Sequence, residues 1–354
     1  MTVPTAVLGG SGFLGGELIR LLGEHPAFEL AAVGARSAAG EAVASIHPHL
    51  RDCRQRFQDL DPEAVVAQAR LAFLATPAAV SARLAPALLE RGIETVVDLS
   101  PAYRVRDAEQ HRRWYPAVDR DGGLAASAVY GLPELSRVGL ANASLIAAPG
   151  CFATATTLAL LALRLLPGAD AERIVVDAKS GSTGSGARPR PSGMHPLRTQ
   201  VIRPYAPAGH RHVAEIQQSL RSAGVVSGAA ARLGMSAYSV DAVRGLLSCA
   251  YVFCDGELSS ADVRRAVVST FAEEPYVRGV GPGMAASPLP DPRILSGSNF
   301  CDVGGFYDAD AGRVVLIAAL DNMVKGGAGQ ALQAANIRYG LPEGTGLGGL
   351  VVYP

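Results

Sequence analysis

The sequence predicts an α/β protein in two parts, a parallel sheet crossed by helices followed by an α+β part on a mixed sheet. Three observations carry this expectation. Short apolar runs alternate with helical patterns through the first third, a glycine-rich turn joins the first run to the first helix, and the texture changes near residue 150. A chain of 354 residues suits two domains at roughly 100–200 residues each.

In order, residues 5–8 read as a strand and residues 14–22 as a helix with Leu14, Leu18, Leu21 and Leu22 at helical spacing. Residues 28–33, 71–75 and 95–99 are further strands, with a helix over 78–91. Strand and helix in alternation imply parallel pairing with right-handed crossovers. The uninterrupted Leu71-Ala72-Phe73-Leu74 suits a sheet covered on both faces. Beyond residue 150, strands are expected at 174–178, 246–253 and 314–320, and helices at 213–223 and 260–271, the latter behind a Ser259/Ser260 cap. The second part therefore reads as a mixed sheet with helices on one face. The stretch 180–207, rich in Gly, Ser, Pro and Arg, is too long for an ordinary connection and is either functional or mobile.

Composition narrows the function. The 32 Lys and Arg balance 32 Asp and Glu, which argues against a nucleic-acid binder. Hydrophobic residues make up 49% and charged residues 18%, below the ~25% charged residues usual in soluble domains, so the chain is globular. Forty glycines and 23 prolines without a repeat period suit tight turns and ligand-gripping loops. Cys53, Cys151, Cys249, Cys254 and Cys301 include no C-x-x-C pair, so no disulfide framework and no metal site are expected, and the compartment expected is a reducing cytoplasm. The chain opens without a signal-peptide pattern, and the apolar stretch 158–166 is too short to span a bilayer and carries Arg164.

Residues 5–15, T-A-V-L-G-G-S-G-F-L-G, place Gly9, Gly12 and Gly15 between a strand and a helix, with Ser11, Phe13 and Leu14 in the same turn. Such a turn needs glycine for its tightness, for close approach to a pyrophosphate and for helix–strand packing. It predicts dinucleotide binding; the alternative is a merely glycine-rich first turn. The second strand ends Val33-Gly34-Ala35-Arg36-Ser37 with no carboxylate for ribose hydroxyls. Arg36 and Ser37 can hold a 2′-phosphate, which favours NADP; the alternative is a solvated surface arginine.

Ala148-Pro149-Gly150-Cys151-Phe152 precedes an apolar helical pattern, so Cys151 falls at or near a helix N-terminus, where free N–H groups and the dipole favour a thiolate. Locally it is either a nucleophile or a core residue. Cys249, Cys254 and Cys301 read as small buried hydrophobes. Gly209-His210-Arg211-His212 offers a proton handler at a helix start, unless the two rings are merely solvated. Ser180–Gly186 can form an anion nest flanked by Lys179, Arg188 and Arg190, or can be a flexible linker. Taken together, these features describe a reductase in which Cys151 attacks an acyl phosphate and NADPH reduces the resulting thioester to an aldehyde.

Eight segments carry a resemblance: G-G-S-G-F-L-G-G-E-L (9–18), F-L-A-T-P (73–77), D-L-S-P-A-Y-R (98–104), Y-G-L-P-E (130–134), P-G-C-F-A-T (149–154), G-H-R-H-V-A-E-I (209–216), G-S-N-F-C-D (297–302) and D-N-M-V-K-G-G-A-G-Q-A (321–331). The chain resembles the N-acetyl-γ-glutamyl-phosphate reductase family of the semialdehyde dehydrogenase group. The resemblance implies a Rossmann-like NADP domain over 1–150 completed by 321–354, and a catalytic and oligomerisation domain over 151–320. It implies Cys151 as nucleophile and a histidine of the 210/212 pair as acid/base, His212 being preferred as nearer the helix start. Further cofactor contacts would be Thr76, Pro77, Ser180, Gly181 and Asn322. Arg104 and Arg244 would contact substrate anions, and the protein would be a homodimer or homotetramer.

The chain departs from the arginine-pathway pattern at 238–245, where Tyr238-Ser239-Val240-Asp241-Ala242-Val243 precedes Arg244-Gly245, and at Ala214 in place of proline. His195-Pro196-Leu197-Arg198 and Arg203-Pro204-Tyr205-Ala206-Pro207 instead resemble the branch, represented by the aminoadipyl-phosphate reductases of lysine biosynthesis, that reduces acyl phosphates borne on a small amino-group carrier protein. Arg188, Arg190, Arg198 and Arg203 would suit an acidic carrier by electrostatic steering. The alternatives are that they hold the phosphate and carboxylates of free N-acetyl-γ-glutamyl phosphate, or that the chain is a non-catalytic NADP-binding protein.

Overall fold

A computed structural model describes residues 2–226, 232–254, 258–281, 289–349 and 351. The chain divides into two compact units, one of Met1–Pro149 with Gly327–Gly349, the other containing Gly150–Gly326. The return to the first unit comes at Gly327, so the 321–326 turn, expected with the cofactor domain, belongs to the second unit.

The first unit holds six strands: β1 (Val3–Leu8), β2 (Phe28–Gly34), β3 (Leu71–Leu74), β4 (Thr95–Asp98), β5 (Val129–Tyr130) and β6 (Leu145–Ala147). All neighbours are parallel, in the order β2-β1-β3-β4-β6-β5. Chain direction therefore switches sides at β1, and ligands of such sheets bind outside the carboxyl ends of the strands at that point. β3 and β4 are buried along their whole length, as an apolar strand covered on both faces must be. The helix Ala78–Glu90 tolerates Pro86 because the carbonyl that the proline cannot serve, that of Ala82, accepts the Tyr103 hydroxyl at 2.9 Å. β5 and β6 are too short to show a period in sequence.

The last helix of this unit, Gly329–Arg338, is buried from Gly329 to Asn336. Asn336 amide nitrogen donates to the Glu343 and Thr345 carbonyls at 3.0 and 2.8 Å, while its oxygen meets His25 Nε2 at 3.0 Å. His25 Nδ1 accepts the Phe28 and Ala27 amides at 2.8 and 3.2 Å. The ring thus ties the C-terminal segment to β2 in its neutral form.

The second unit holds β7 (Ala169–Ser180), β8 (Arg203–Ala206), β9 (Arg232–Ser239), β10 (Leu246–Cys254), β11 (Val277–Gly279), β12 (Cys301–Asp308) and β13 (Arg313–Leu320). They form one mixed sheet, β11-β12-β13-β10-β7-β9-β8, parallel at β11/β12 and β7/β9 and antiparallel elsewhere. Burial alternates along β7 and β10, so one face is packed and the other half-open. Among the described residues, three helices of eleven residues each pack in this unit, besides the single turn His195–Arg198. Cys151–Leu161 is buried all round after its first residue, His212–Ser222 is amphipathic, and Ser260–Thr270 starts with a Ser259/Asp262 capping box. The 180–207 stretch is ordered by short turns and by β8 at the sheet edge. No helix among the described residues is long and apolar enough to cross a membrane.

Burial lowers the His25 pKa from its ordinary 6.5. The folded state then binds this proton less readily than the unfolded one, so the contribution is intact above about pH 6.5 and is lost on acidification. Melting curves between pH 7.5 and 5 should show wild type losing more stability than His25→Gln over that interval; parallel pH dependences would remove His25 from the account.

Candidate active site

In the first unit, the glycine turn follows β1 at the switch of the sheet. Gly9 has φ +85°, and a Cβ there would lie 2.4 Å from the Ala75 carbonyl oxygen. A Cβ on Gly15 would lie 2.4 Å from the Gly9 oxygen. The turn is therefore closed by backbone-on-backbone packing that only glycine permits. Gly12 caps the helix Phe13–Gly23 without a side chain, and no acidic residue stands in the first turn. A helix N-terminus bare of side-chain caps and of negative charge fits a dinucleotide pyrophosphate. Ser11 and Leu14 are half-buried and Phe13 is exposed, all in this same turn.

Thr76 and Pro77 stand beside the turn, since the same Gly9 Cβ would come within 3.0 Å of the Thr76 nitrogen. The Thr76 hydroxyl shares a 2.7 Å hydrogen bond with Ser81. Arg36 and Ser37 are exposed at the end of β2. One expectation needs correcting here. A carboxylate does stand at this point, because Asp59, distant in sequence, lies 3.3 Å from Arg36 Nε. The segment holding it is brought alongside β2 by a bridge between Gly34 and Gln58. Both side chains of the pair are largely exposed, so solvent screens the attraction.

Arg104, expected at a substrate anion, is buried and donates to the Leu99 and Ala148 carbonyls at 2.6 and 2.7 Å. Those carbonyls leave the ends of β4 and β6, so the guanidinium clasps two strand termini together. The buried Asp98 beside it is pushed up to about 6, burial outweighing its hydrogen bonds from Ser100 and the Arg104 charge.

In the second unit, Cys151 is the first residue of its helix, capped by Gly150 with no side-chain bond. The Gly150 amide donates to Glu215 Oε2 at 3.0 Å, and Glu215 is wholly buried. Its other oxygen lies 3.9 Å from His212 Nε2. Gly326 presses on the cysteine, since a Cβ there would stand 2.7 Å from the Cys151 Cβ. His210 and His212 are both buried, with ring centroids 4.7 Å apart, and Phe152 lies edge-on to each at 5.4 and 6.0 Å.

His210 Nδ1 accepts the His212 amide at 3.2 Å, which leaves the ring proton on Nε2, 3.4 Å from the Tyr205 hydroxyl. Burial, with the Arg211 charge adding, lowers the His210 pKa to about 4, so this ring is neutral near pH 7. Burial and the nearby Cys151 charge push the Tyr205 hydroxyl up. Cysteine, both histidines, Tyr205 and Glu215 thus converge. Glu215 and Tyr205 were not singled out in sequence, although the His212/Glu215 spacing of one helical turn was there to be read.

Arg244 reaches Asp321 Oδ2 at 3.3 Å. Asp321 is wholly buried and also accepts the Gly297 and Met323 amides at 2.6 and 2.7 Å. Its carbonyl takes the Gly326 amide at 2.9 Å, so the turn that presses on Cys151 also fixes Arg244.

One expectation is corrected in this unit. The 180–186 segment forms no open nest, because the Gly181, Ser182 and Thr183 amides donate to the Gly245, Ala242 and Val243 carbonyls at 2.9, 2.8 and 3.1 Å. The 242–245 segment takes the amides an anion would need. Asn322 has both ends of its carboxamide engaged, accepting from Gly245 N at 2.8 Å and donating to Thr183 Oγ1 at 2.9 Å. Ser180 and Gly181, expected with it at the cofactor, are buried in this same network.

Arg188 and Arg190 are exposed, Arg198 and Arg203 half-buried, and Arg203 donates to the Leu197 carbonyl. Met194, Leu197 and Ile202 are exposed among them. No cluster of His, Cys, Asp and Glu able to hold a metal occurs among the described residues.

Comparison with known proteins gives the family. Residues 4–143 match the semialdehyde dehydrogenase NAD binding domain and residues 151–322 the semialdehyde dehydrogenase dimerisation domain. A Thermomicrobium roseum protein named as a LysW-L-2-aminoadipate 6-phosphate reductase is 42% identical, covering 98% of each chain. The LysW-L-2-aminoadipate/LysW-L-glutamate phosphate reductase of Saccharolobus solfataricus is 38% identical over 98% of this chain and 97% of its own. An N-acetyl-gamma-glutamyl-phosphate reductase of Bacillus cereus is 37% identical, covering 98% and 99%. Aspartate semialdehyde dehydrogenase II of Vibrio cholerae superposes with a TM-score of 0.69 at 16% identity, covering 95% of this chain and 98% of its own, a likeness of fold alone. The Candida albicans enzyme with NADP gives 0.68 at 17% identity, with the same two shares covered. Matched along nearly its whole length by these reductases, the chain belongs to the semialdehyde dehydrogenase family.

Proposed function

We propose that this protein is an NADPH-dependent acyl-phosphate reductase that forms a semialdehyde through a thioester on Cys151, with its substrate carried on a small acidic protein. The observation that carries the reading is Cys151 at the head of a buried helix, within one cluster with His210, His212, Tyr205 and Glu215. The Cys151 sulfur attacks the acyl carbon, and the C–S bond forms as the C–O bond to phosphate breaks, phosphate leaving with that electron pair. The reduced nicotinamide, when bound, supplies the hydride. Gly9, Ser11, Gly12, Phe13, Leu14 and Gly15 would hold the pyrophosphate, Thr76 and Pro77 would flank it, and Arg36 with Ser37 would take the 2′-phosphate. His212, oriented by Glu215, protonates the tetrahedral oxygen and recovers that proton as the C–S bond breaks, releasing the aldehyde and returning the thiolate. His210 stays neutral and orients the pair. Arg244, half-exposed and held by Asp321, is the anion contact for the substrate; Arg104 serves by holding strand ends.

The carrier reading rests on the names of the LysW-linked relatives and on the basic and apolar segment in which Arg188, Arg190, Met194, Leu197 and Ile202 are exposed and Arg198 and Arg203 half-buried. Free N-acetyl-γ-glutamyl phosphate is the second reading, favoured by the Bacillus cereus relative. The half-open sheet face, with Val175 and Phe253 exposed and Cys249, Tyr251 and Ile317 half-buried, supports a homo-oligomer. The five cysteines, none of them in a disulfide among the described residues, go with a reducing cytoplasm.

Three outcomes are expected. Cys151→Ser should lose phosphate-dependent NADP reduction while still binding NADPH; full turnover would remove the thioester step. His212→Asn should lower kcat by about 10²–10⁴-fold, the usual range for losing a general acid–base, and by more than His210→Asn does. The opposite ranking would give the proton to His210. In the reverse reaction a carrier-linked semialdehyde should turn over in strong preference to free N-acetylglutamate semialdehyde. Preference for the free compound would place the chain with the second reading.

A further inference from the structure

We infer that His47, which no sequence motif marks, is a positioning residue for the dinucleotide turn, a role that rests on the cofactor reading above. His47 ends the short helix Val43–Ile46, its amide donating to the Val43 carbonyl at 2.9 Å and its carbonyl accepting the Leu50 amide at 2.8 Å. Its backbone is thereby held at both sides. The ring is buried and Nε2 lies 2.7 Å from the Gly10 carbonyl oxygen. A carbonyl can only accept, so Nε2 carries the proton and donates it.

This bond fixes the turn from a direction that β1 and β2 cannot reach. The Gly9 and Gly10 amides both donate to the Gly34 carbonyl, at 2.8 and 3.0 Å, which leaves the next peptide plane to be set. His47 sets it by drawing in the Gly10 oxygen. In a planar trans peptide the following N–H points the opposite way, so the Ser11 amide is turned away from His47 and off the packed side of the loop. The ring also explains a glycine outside the expected three. A Cβ on Gly16 would lie 2.5 Å from the imidazole, so helix and ring approach each other over a bare Cα. Phe57 supports the ring edge-on at 6.3 Å. The turn's shape is thus a joint property of the glycines and of one histidine from a separate segment.

The experiment is NADPH titration, with steady-state kinetics and melting curves, on wild type, His47→Leu and His47→Gln. Leucine fills the space without a donor, whereas glutamine carries an amide N–H near the position of Nε2. His47→Leu should raise the Kd and KM for NADPH by about three- to tenfold, the span expected from one lost hydrogen bond, with kcat at saturating NADPH and the KM for acyl phosphate little changed. His47→Gln should recover most of the affinity. Unchanged Kd in His47→Leu, equal weakening in both variants, or a loss tracking the folded fraction would overturn the role. In a second arm, Gly16→Ala should weaken NADPH binding in the wild-type background and less so beside His47→Ser, where the clash is relieved. Additive effects would also overturn it. Wild type failing to bind NADPH would instead sink the cofactor reading on which the role rests.

Discussion

The second unit is organised around one buried carboxylate. Glu215 sits without solvent contact, accepting the amide that precedes Cys151 on one oxygen and facing His212 on the other. A buried charge of this kind is tolerated only where hydrogen bonds and charge partners replace water. The carboxylate therefore constrains two backbones at once: the turn that leads into Cys151 and the helix that begins at His212. The helix dipole at Cys151 acts in the same place and contributes typically ~0.3–1 kcal/mol, more where partly buried. Neither effect alone would bring sulfur and imidazole into one cluster.

A second buried carboxylate, Asp321, repeats the device on the other side of the cysteine. It joins the Arg244 guanidinium to a turn whose Gly326 rests on the Cys151 side chain. Arg244 and Cys151 are then both held by one turn of backbone, and preorganisation of that kind is where positioning lowers a barrier. In the first unit the same economy operates through glycine, where close packing shapes a turn whose helix end is bare.

Much of this was legible in the chain. Gly9, Gly12 and Gly15 announced the dinucleotide turn because the requirement is local: a strand, a tight turn and a helix lie within a dozen residues. Cys151 was legible for the same reason, since Pro149-Gly150 before an apolar helix defines its position. The strand at 246–253 and the helix at 260–271 were readable from period and cap. The short strands β5, β6 and β11 were not, because two or three residues cannot display a period, and β12 was obscured by Gly304 and Gly305.

Where the reading failed, the partner came from elsewhere in the chain. Ser180–Gly186 has the composition of an anion nest, yet the 242–245 carbonyls take the amides of Gly181, Ser182 and Thr183. Asp59 reaches Arg36 and His47 reaches Gly10 across shorter gaps in sequence. By itself the sequence determined the class of fold, the glycine turn, the place of Cys151 at a helix start and the histidine pair, because each is specified by neighbours along one element. Only the tertiary structure decided which polar groups remain available for a ligand. A hydrogen-bonding group buried in a protein takes whatever partner the fold brings within about 3 Å, and that partner need leave no trace in the residues beside it.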